Sequence, residues 1–254
     1  MLNQLVYYAL RNLAGSEPGF TTRTVRWLVE LSSDGQLINV LPLGNEKIGE
    51  QTSKCPEMHN MNAGGRAHFL VETLQTVALL HKPNEDPKKV ASAQEKQKFF
   101  SEMVKEAASV ADVLKPLTMF LDDKGRLESL RDRLSNEKAK PTDWLRWHIA
   151  GTDPLHLDTV QEWWRKWRET DQTKGKSENK PERGVESDGM ICFLTGQAQQ
   201  PLATHPKVTG LSGVGGLGTG DVMVGFDKSA FCSYDLEQAN NAAMGEKAVR
   251  GYVD

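Results

Sequence analysis

The densest grouping of chemically useful side chains lies in residues 60–68. Asn60, Asn62, Gly64, Gly65, Arg66 and His68 stand together there, in an otherwise polar loop ahead of a helix-forming stretch. Asn carboxamides can read base edges, and Arg pairs with phosphate or enters a narrow groove. The same Asn and Gly suit a turn, because both tolerate positive φ, and composition leaves these two readings level. A second grouping is the run 210–220, where six of eleven residues are Gly. Its Gly213-Val214-Gly215-Gly216-Leu217-Gly218 fits GxGxxG, a pattern that cradles a pyrophosphate only when it joins a strand to a helix. Here 221–226 reads as a strand and Pro206 lies close upstream, which argues against a dinucleotide site. A tight or flexible connector remains open, as does a loop pressed against a nucleic-acid backbone or a partner subunit.

Other chemistries have little support. The histidines (His59, His68, His81, His148, His156, His205) are scattered, and neither Cys192 nor His205 has the near partners of a four-ligand site. GxSxG, HExxH and P-loop patterns are absent from the sequence, and no nucleophile sits beside a local base. The expectation is a non-enzymatic chain with no metal and no cofactor. Trp163, Trp164 and Trp167 read as core and helix-packing surface rather than a stacking platform. Three widely spaced cysteines (Cys55, Cys192, Cys232) make neither a disulfide framework nor a CxxC pair, so a reducing, cytoplasmic setting is expected.

These groups need elements to hold them. The apolar spacing of Leu2, Leu5, Val6, Ala9, Leu10 and Leu13 predicts a helix that stops at Gly15. Thr21 and Thr22 read as loop, then Val25, Trp27, Val29 and Leu31 as a strand, with Ser33-Asp34-Gly35 turning into a second strand over 37–41. The stretch 42–66 reads as a long polar loop, of the kind that is usually functional or disordered. Residues 82–89 read as a charged linker, followed by an amphipathic helix over 99–114, a helical stretch over 117–134 and a strand over 143–150. A Trp-rich helical turn spans 160–167, and 171–188 reads as a solvated, mobile loop. Residues 190–194 read as a buried strand, Val222, Val224 and Phe226 as another, and Asn240–Asn241 as a helix start near the chain's end. The pattern is α+β: a mixed or antiparallel sheet with a helical insertion at about 88–134.

With 254 residues, 31 Lys+Arg and 34 Asp+Glu, the formal net charge is −3. A nucleic-acid role must therefore rest on local patches. Lys47, Lys54, Lys82, Lys88 and Lys89 join Arg66 as candidates for a phosphate backbone, against the default of solvated surface lysines. No apolar run approaches the roughly 20 residues of a spanning helix.

Several stretches are familiar. Cys192-Phe193-Leu194-Thr195-Gly196 is followed by Pro201-Leu202-Ala203-Thr204-His205-Pro206-Lys207-Val208-Thr209-Gly210-Leu211, the Gly-rich run, then Ala230-Phe231-Cys232-Ser233-Tyr234, Glu237-Gln238 and Asn241-Ala242. This resembles the N-terminal part of the large subunit of the type I-C CRISPR surveillance complex, Cascade (the Cas-eight family, c or Dvulg subtype). The family pattern is C-x-x-T-G, HP-x-(I/V)-x-G, a Gly/Ser loop, then SFN-x-x-AF-x-SYG-x-EQ-x-x-NAP. Arg66-Ala67-His68-Phe69-Leu70-Val71-Glu72 is similar to the family's R/P-x-x-FL-x-(D/E). The chain departs from the pattern at Gly225, Asp227, Asp235 and Ala243.

The resemblance implies a non-catalytic DNA-recognition lobe over 1–254, lacking a C-terminal helical bundle. Such a lobe reads the PAM of target double-stranded DNA and promotes duplex opening and R-loop formation in antiviral defence, while guide pairing reads sequence. Implied partners are the guide RNA 5′ handle, a Cas-five-type subunit, the backbone Cascade subunits and a recruited helicase-nuclease, with no membrane. A DNA-mimicking phage inhibitor is a further partner such a surface would attract. The resemblance favours base reading for Asn60, Asn62, Gly64, Gly65, Arg66 and His68. It leaves Lys207, Ser212, Gly213, Gly215, Gly216 and Thr219 as a loop facing the guide or a subunit. The alternatives are a nucleotide-dependent enzyme built on the Gly-rich run, and a scaffold that touches only protein.

Overall fold

The computed structural model describes residues 2–12, 17–45, 49–58, 64–177, 190–199, 201–202, 204–226, 228–231, 236 and 238–253. Its helices are α1 (Leu2–Asn12), α2 (Leu74–Val77), α3 (Pro87–Ala108), α4 (Lys115–Asp122), α5 (Lys124–Asn136), α6 (Asp158–Ser177) and α7 (Glu246–Val253). Its strands are β1 (Phe20–Val25), β2 (Trp27–Leu31), β3 (Leu37–Pro42), β4 (Glu50–Pro56), β5 (Glu72–Thr73), β6 (Trp144–Ile149), β7 (Met190–Ile191) and β8 (Ala198–Gln199). The fold is α+β. The chain divides into two compact units, Met1–Pro18 with Lys180–Asp254, and Gly19–Asn179.

In the larger unit, a four-stranded sheet has the order β3-β2-β6-β5. Strand β2 pairs antiparallel with β3 and parallel with β6, and β6 pairs antiparallel with β5. A parallel pair needs a long crossover, and the helical segment α3–α5 supplies it. Because β2 is central, both its faces are covered, and Trp27, Leu28, Val29 and Leu31 are all buried. Strands β1 and β4 form a separate antiparallel ribbon.

Local chemistry sets the helix starts. Asp86 caps α3 by accepting from the Lys88 N–H at 2.9 Å, and Pro87 occupies the first helical position. Asp123 caps α5 through the N–H groups of Gly125 and Arg126. Helix α5 is tied to the β2–β3 hairpin by Arg126, which donates to the carbonyls of Asp34 and Gly35, and by Arg133, which donates to that of Ile38. Gly35 has φ +72°, and a Cβ there would lie 2.5 Å from the Pro116 carbonyl oxygen. Only Gly allows the hairpin tip to approach α4 so closely. The core joins Phe69, Phe100, Phe120, Leu130, Trp147 and Trp164, and Trp164 anchors α6 by donating to the Gly19 carbonyl at 2.7 Å. The Trp cluster is thus packed as its spacing predicted.

In the smaller unit, α1 packs on α7, and Val6, Cys192, Leu202, Met244, Ala248, Val249 and Tyr252 form its core. Gly251 lets the helices close, since a Cβ there would sit 3.1 Å from the Val6 Cα.

Several sequence expectations change. Thr21 and Thr22 are strand rather than loop, in keeping with the preference of β-branched residues for pleated surface. The expected loop over 42–66 contains β4, which β1 holds by backbone pairing. Lys88 and Lys89 belong to the first turn of α3 rather than to a linker. Residues 171–177 continue α6 instead of opening a loop, and 178–189 lie outside the described residues. The buried strand expected over 190–194 is only β7, followed by a turn that buries Cys192 (1% exposed) and turns Phe193 out (70% exposed). Val222, Val224 and Phe226 form no strand, because the pairing there is limited to one bridge between Val208 and Asp221. The last helix begins at Glu246, after a 3-10 turn over Gln238–Ala242.

Candidate nucleic-acid interface

The loop singled out in the sequence enters the described structure at Gly64; Asn60 and Asn62, with Lys47 upstream, lie outside the described residues. Gly64 and Gly65 form a turn. A Cβ at Gly64 would meet none of the described residues within 4 Å, and Gly65 (φ +74°) faces the Glu95 side chain, whose Cβ would be 3.7 Å from its own. The turn therefore rests on α3, and among the described residues nothing lies over Gly64.

Beneath the turn the chain is fixed. Arg66 pairs with Asp171 of α6, and its guanidinium lies 5.6 Å from the Phe99 ring centre on α3. The two charged side chains are 18% and 20% exposed, so Arg66 is a strut between helices rather than a projecting cation. His68 is 7% exposed. The Met58 N–H donates to its Nδ1 at 3.1 Å, and the Arg23 guanidinium lies 3.3 Å from Nε2. Burial, with the charges of Arg23 and Lys96, pulls the His68 pKa down to about 3. His68 is thus a neutral acceptor inside the stem, out of reach of a base edge. Arg23 also stacks 4.3 Å from the Trp144 ring centre and pairs with Glu57 at 3.5 Å.

Glu72 closes the stem, accepting the His68 N–H at 2.8 Å and the Thr73 N–H at 2.7 Å. Ala67, Phe69, Leu70 and Val71 are buried between them. The motif Arg66–Glu72 therefore builds the platform under the Gly64–Gly65 turn. Reasoning from residue type missed Arg23, Met58 and Glu72 as its anchors. The acid at the motif's end was the available signal for Glu72; the other two become neighbours only through the β1–β4 ribbon.

The candidate phosphate contacts divide. Lys82 and Lys88 are exposed; Lys89 is exposed and pairs with Glu85 at 3.3 Å; Lys54 is half-buried, with its ammonium 5.3 Å from the Phe20 ring centre. Lys88 lies seven residues before Glu95, hence on the same face of α3 and about 10 Å along its axis. It shares a stripe with the residue that supports the turn.

In the smaller unit, the Gly-rich run is a closed loop. Val208 and Asp221 exchange backbone hydrogen bonds of 2.9 Å at its neck, Asp221 accepts the Leu217 N–H, and Gly216 donates to the Leu211 carbonyl. A 3-10 turn over Leu211–Val214 occupies the tip, flanked by Gly210 (φ +85°) and Gly215 (φ +100°). Among the described residues no strand runs directly into Gly213 and no helix starts directly after Gly218, so the context that makes GxGxxG a pyrophosphate site is lacking there. Lys207, Ser212, Gly213, Gly215 and Thr219 are exposed, and Gly216 is half-buried. The loop also turns Val214 (84% exposed), Leu217, Val222 and Met223 outward. His205 of the HP motif accepts or donates at 2.8 Å to the Tyr252 hydroxyl, which stitches this segment to α7.

Among the described residues, no group of three or more His, Cys, Asp or Glu side chains is arranged to hold a metal ion. Nor is any helix among them long and apolar enough to cross a membrane. Comparison with curated proteins returns no match. The family model for CRISPR-associated protein (Cas_Csd1) matches residues 5–254. The closed Gly-rich loop and the Arg66–Glu72 stem lie within that match, and the chain belongs to this family, the large subunits of type I-C CRISPR defence.

Proposed function

We propose that this chain recognises the PAM in double-stranded target DNA as part of a type I-C Cascade complex, and promotes duplex opening without catalysing a reaction itself. The observation that carries the reading is the open Gly64–Gly65 turn on its fixed stem. A turn with no Cβ, and with no described residue over Gly64, lets backbone approach a groove floor. The Arg66–Asp171 and His68–Met58 contacts hold it in one place, as a reading element requires. Asn60 and Asn62, just upstream, supply carboxamides suited to base edges. Lys88, in line on α3, is suited to the flanking phosphates. The apolar side chains on the Gly-rich loop suit a protein neighbour better than the guide backbone, so Lys207, Ser212 and Thr219 are assigned to the rim of a subunit contact.

The test is titration of the assembled complex with matched duplexes that differ only in the PAM. Gly64→Val should weaken binding of both duplexes about tenfold or more without lowering the melting temperature, since none of the described residues opposes its side chain. Asn60→Ala or Asn62→Ala should narrow the PAM preference by about 1–3 kcal/mol per lost contact. Full PAM preference in both Asn variants, together with a silent Gly64→Val, would remove this loop from the reading surface. Turnover of nucleic acid or nucleotide that follows the purified chain would overturn the non-catalytic assignment.

A further inference from the structure

The smaller unit has a cavity of about 610 Å³ lined by α1, the β7–β8 turn and α7. Its apolar floor is Val6, Leu194 and Ala248, and its walls carry the carboxamides of Asn3, Gln4, Gln197 and Gln199. Tyr7, 58% exposed, and Lys247 also line it. The volume falls within the roughly 300–1,000 Å³ of small-ligand sites, which pair an apolar lining with a few oriented polar groups.

Two of these groups are held in place. The Gln199 carboxamide donates to the Thr195 hydroxyl at 3.2 Å, and it lies over Gly245, where a Cβ would overlap it. The Arg11 guanidinium sits 4.2 Å from the Tyr7 ring centre, one helical turn along α1. Carboxamides each offer a donor pair and an acceptor, which matches the mixed edge of a heterocyclic base. An exposed Tyr offers a stacking face, and Lys247 and Arg11 offer charge for an adjoining phosphate. A carbohydrate would leave the cations without partners, and an apolar peptide side chain would leave the carboxamides unpaired.

We propose that this cavity takes one unstacked base of a single-stranded nucleic acid. The base stacks on Tyr7 and is held at its edge by Gln197 and the neighbouring carboxamides, while Lys247 meets its phosphate. The strand is either the guide or the displaced DNA, which present the same base and phosphate chemistry. The inference rests on the proposed function only in expecting nucleic acid to reach this face.

The test measures binding of the full chain to five-nucleotide fluorescent RNA and DNA of one sequence, and to a five-unit abasic strand of the same charge. Both base-bearing strands, or one of them, should bind about tenfold or more tighter than the abasic strand. Tighter binding of RNA assigns the guide as the source, and equal or tighter binding of DNA assigns the displaced strand. Tyr7→Ala and Gln197→Ala, at exposed positions, should bring the base-bearing strands to the abasic level while leaving melting unchanged. Lys247→Gln should weaken all three alike. Equal binding of abasic and base-bearing strands, or a base preference that survives both Tyr7→Ala and Gln197→Ala, overturns the proposal. These probes contain no PAM and no duplex, so failure here is distinct from failure of the Gly64 test.

Discussion

Acid should loosen the stem under the Gly64–Gly65 turn through His68, and by an amount the structure sets. In the folded chain the ring accepts the Met58 N–H, and burial, with the charges of Arg23 and Lys96, holds its pKa down to about 3. In the unfolded chain it returns to an ordinary value of about 6.5. A depressed folded pKa favours the native state above the unfolded value, and that advantage is lost as pH falls through the window between the two. At pH 7 the folded ring is neutral and the unfolded ring carries a proton about a quarter of the time. At pH 5 the unfolded state holds one almost fully while the folded state stays neutral, so the loss between pH 7 and 5 is about 2 kcal/mol. The control is His68→Asn, whose Oδ1 occupies the place of Nδ1 and can accept from Met58 but does not titrate. It should be less stable at pH 7, because it forgoes the ring contact with Trp144 at 5.6 Å, yet it should lose about 2 kcal/mol less on going to pH 5. Urea unfolding followed by Trp fluorescence suits the measurement, since all six Trp (Trp27, Trp144, Trp147, Trp163, Trp164 and Trp167) lie in the larger unit. Parallel pH profiles for the two proteins would refute the argument, because His68 would then not be the group that titrates.

Gly35→Ala should lower stability by more than the 1–2 kcal/mol of a left-handed Ala alone, because its Cβ would also press on the Pro116 carbonyl. Thermal unfolding checks this, and a change within 0.5 kcal/mol, on the order of a neutral surface substitution, would contradict it. Neutralising Lys88 by Lys88→Gln should weaken the complex's binding to PAM and non-PAM duplexes alike and reduce the log–log salt slope by roughly one unit. An unchanged slope would place the phosphate path elsewhere.

The sequence by itself determined the fold class, the β2–β3 hairpin, the helical insertion and the core role of the Trp cluster. Each rests on local signals: Asp34-Gly35 for a turn and apolar spacing for a buried face. It also determined the family, because the Cys192–Gly196 and His205–Gly210 patterns are contiguous. Tertiary structure alone decided what those motif residues do. Arg66 and His68 have the chemistry of nucleic-acid readers, but Asp171 and Met58, distant in sequence for the first and brought round by the β1–β4 ribbon for the second, turn them inward. Strand β4 was hidden because polar Glu50, Gln51 and Lys54 mask its period-two pattern, and its partner β1 lies some thirty residues earlier. Residues 222–226 failed in the opposite sense: their alternation is real, but a strand needs a neighbour to receive its hydrogen bonds, and among the described residues the pairing stops at the Val208–Asp221 bridge. The carboxamide-lined cavity was invisible for the same reason. Asn3, Gln4 and Tyr7 meet Gln197, Gln199 and Lys247 only because α1 packs on α7, a contact between the two ends of the chain that no local pattern encodes.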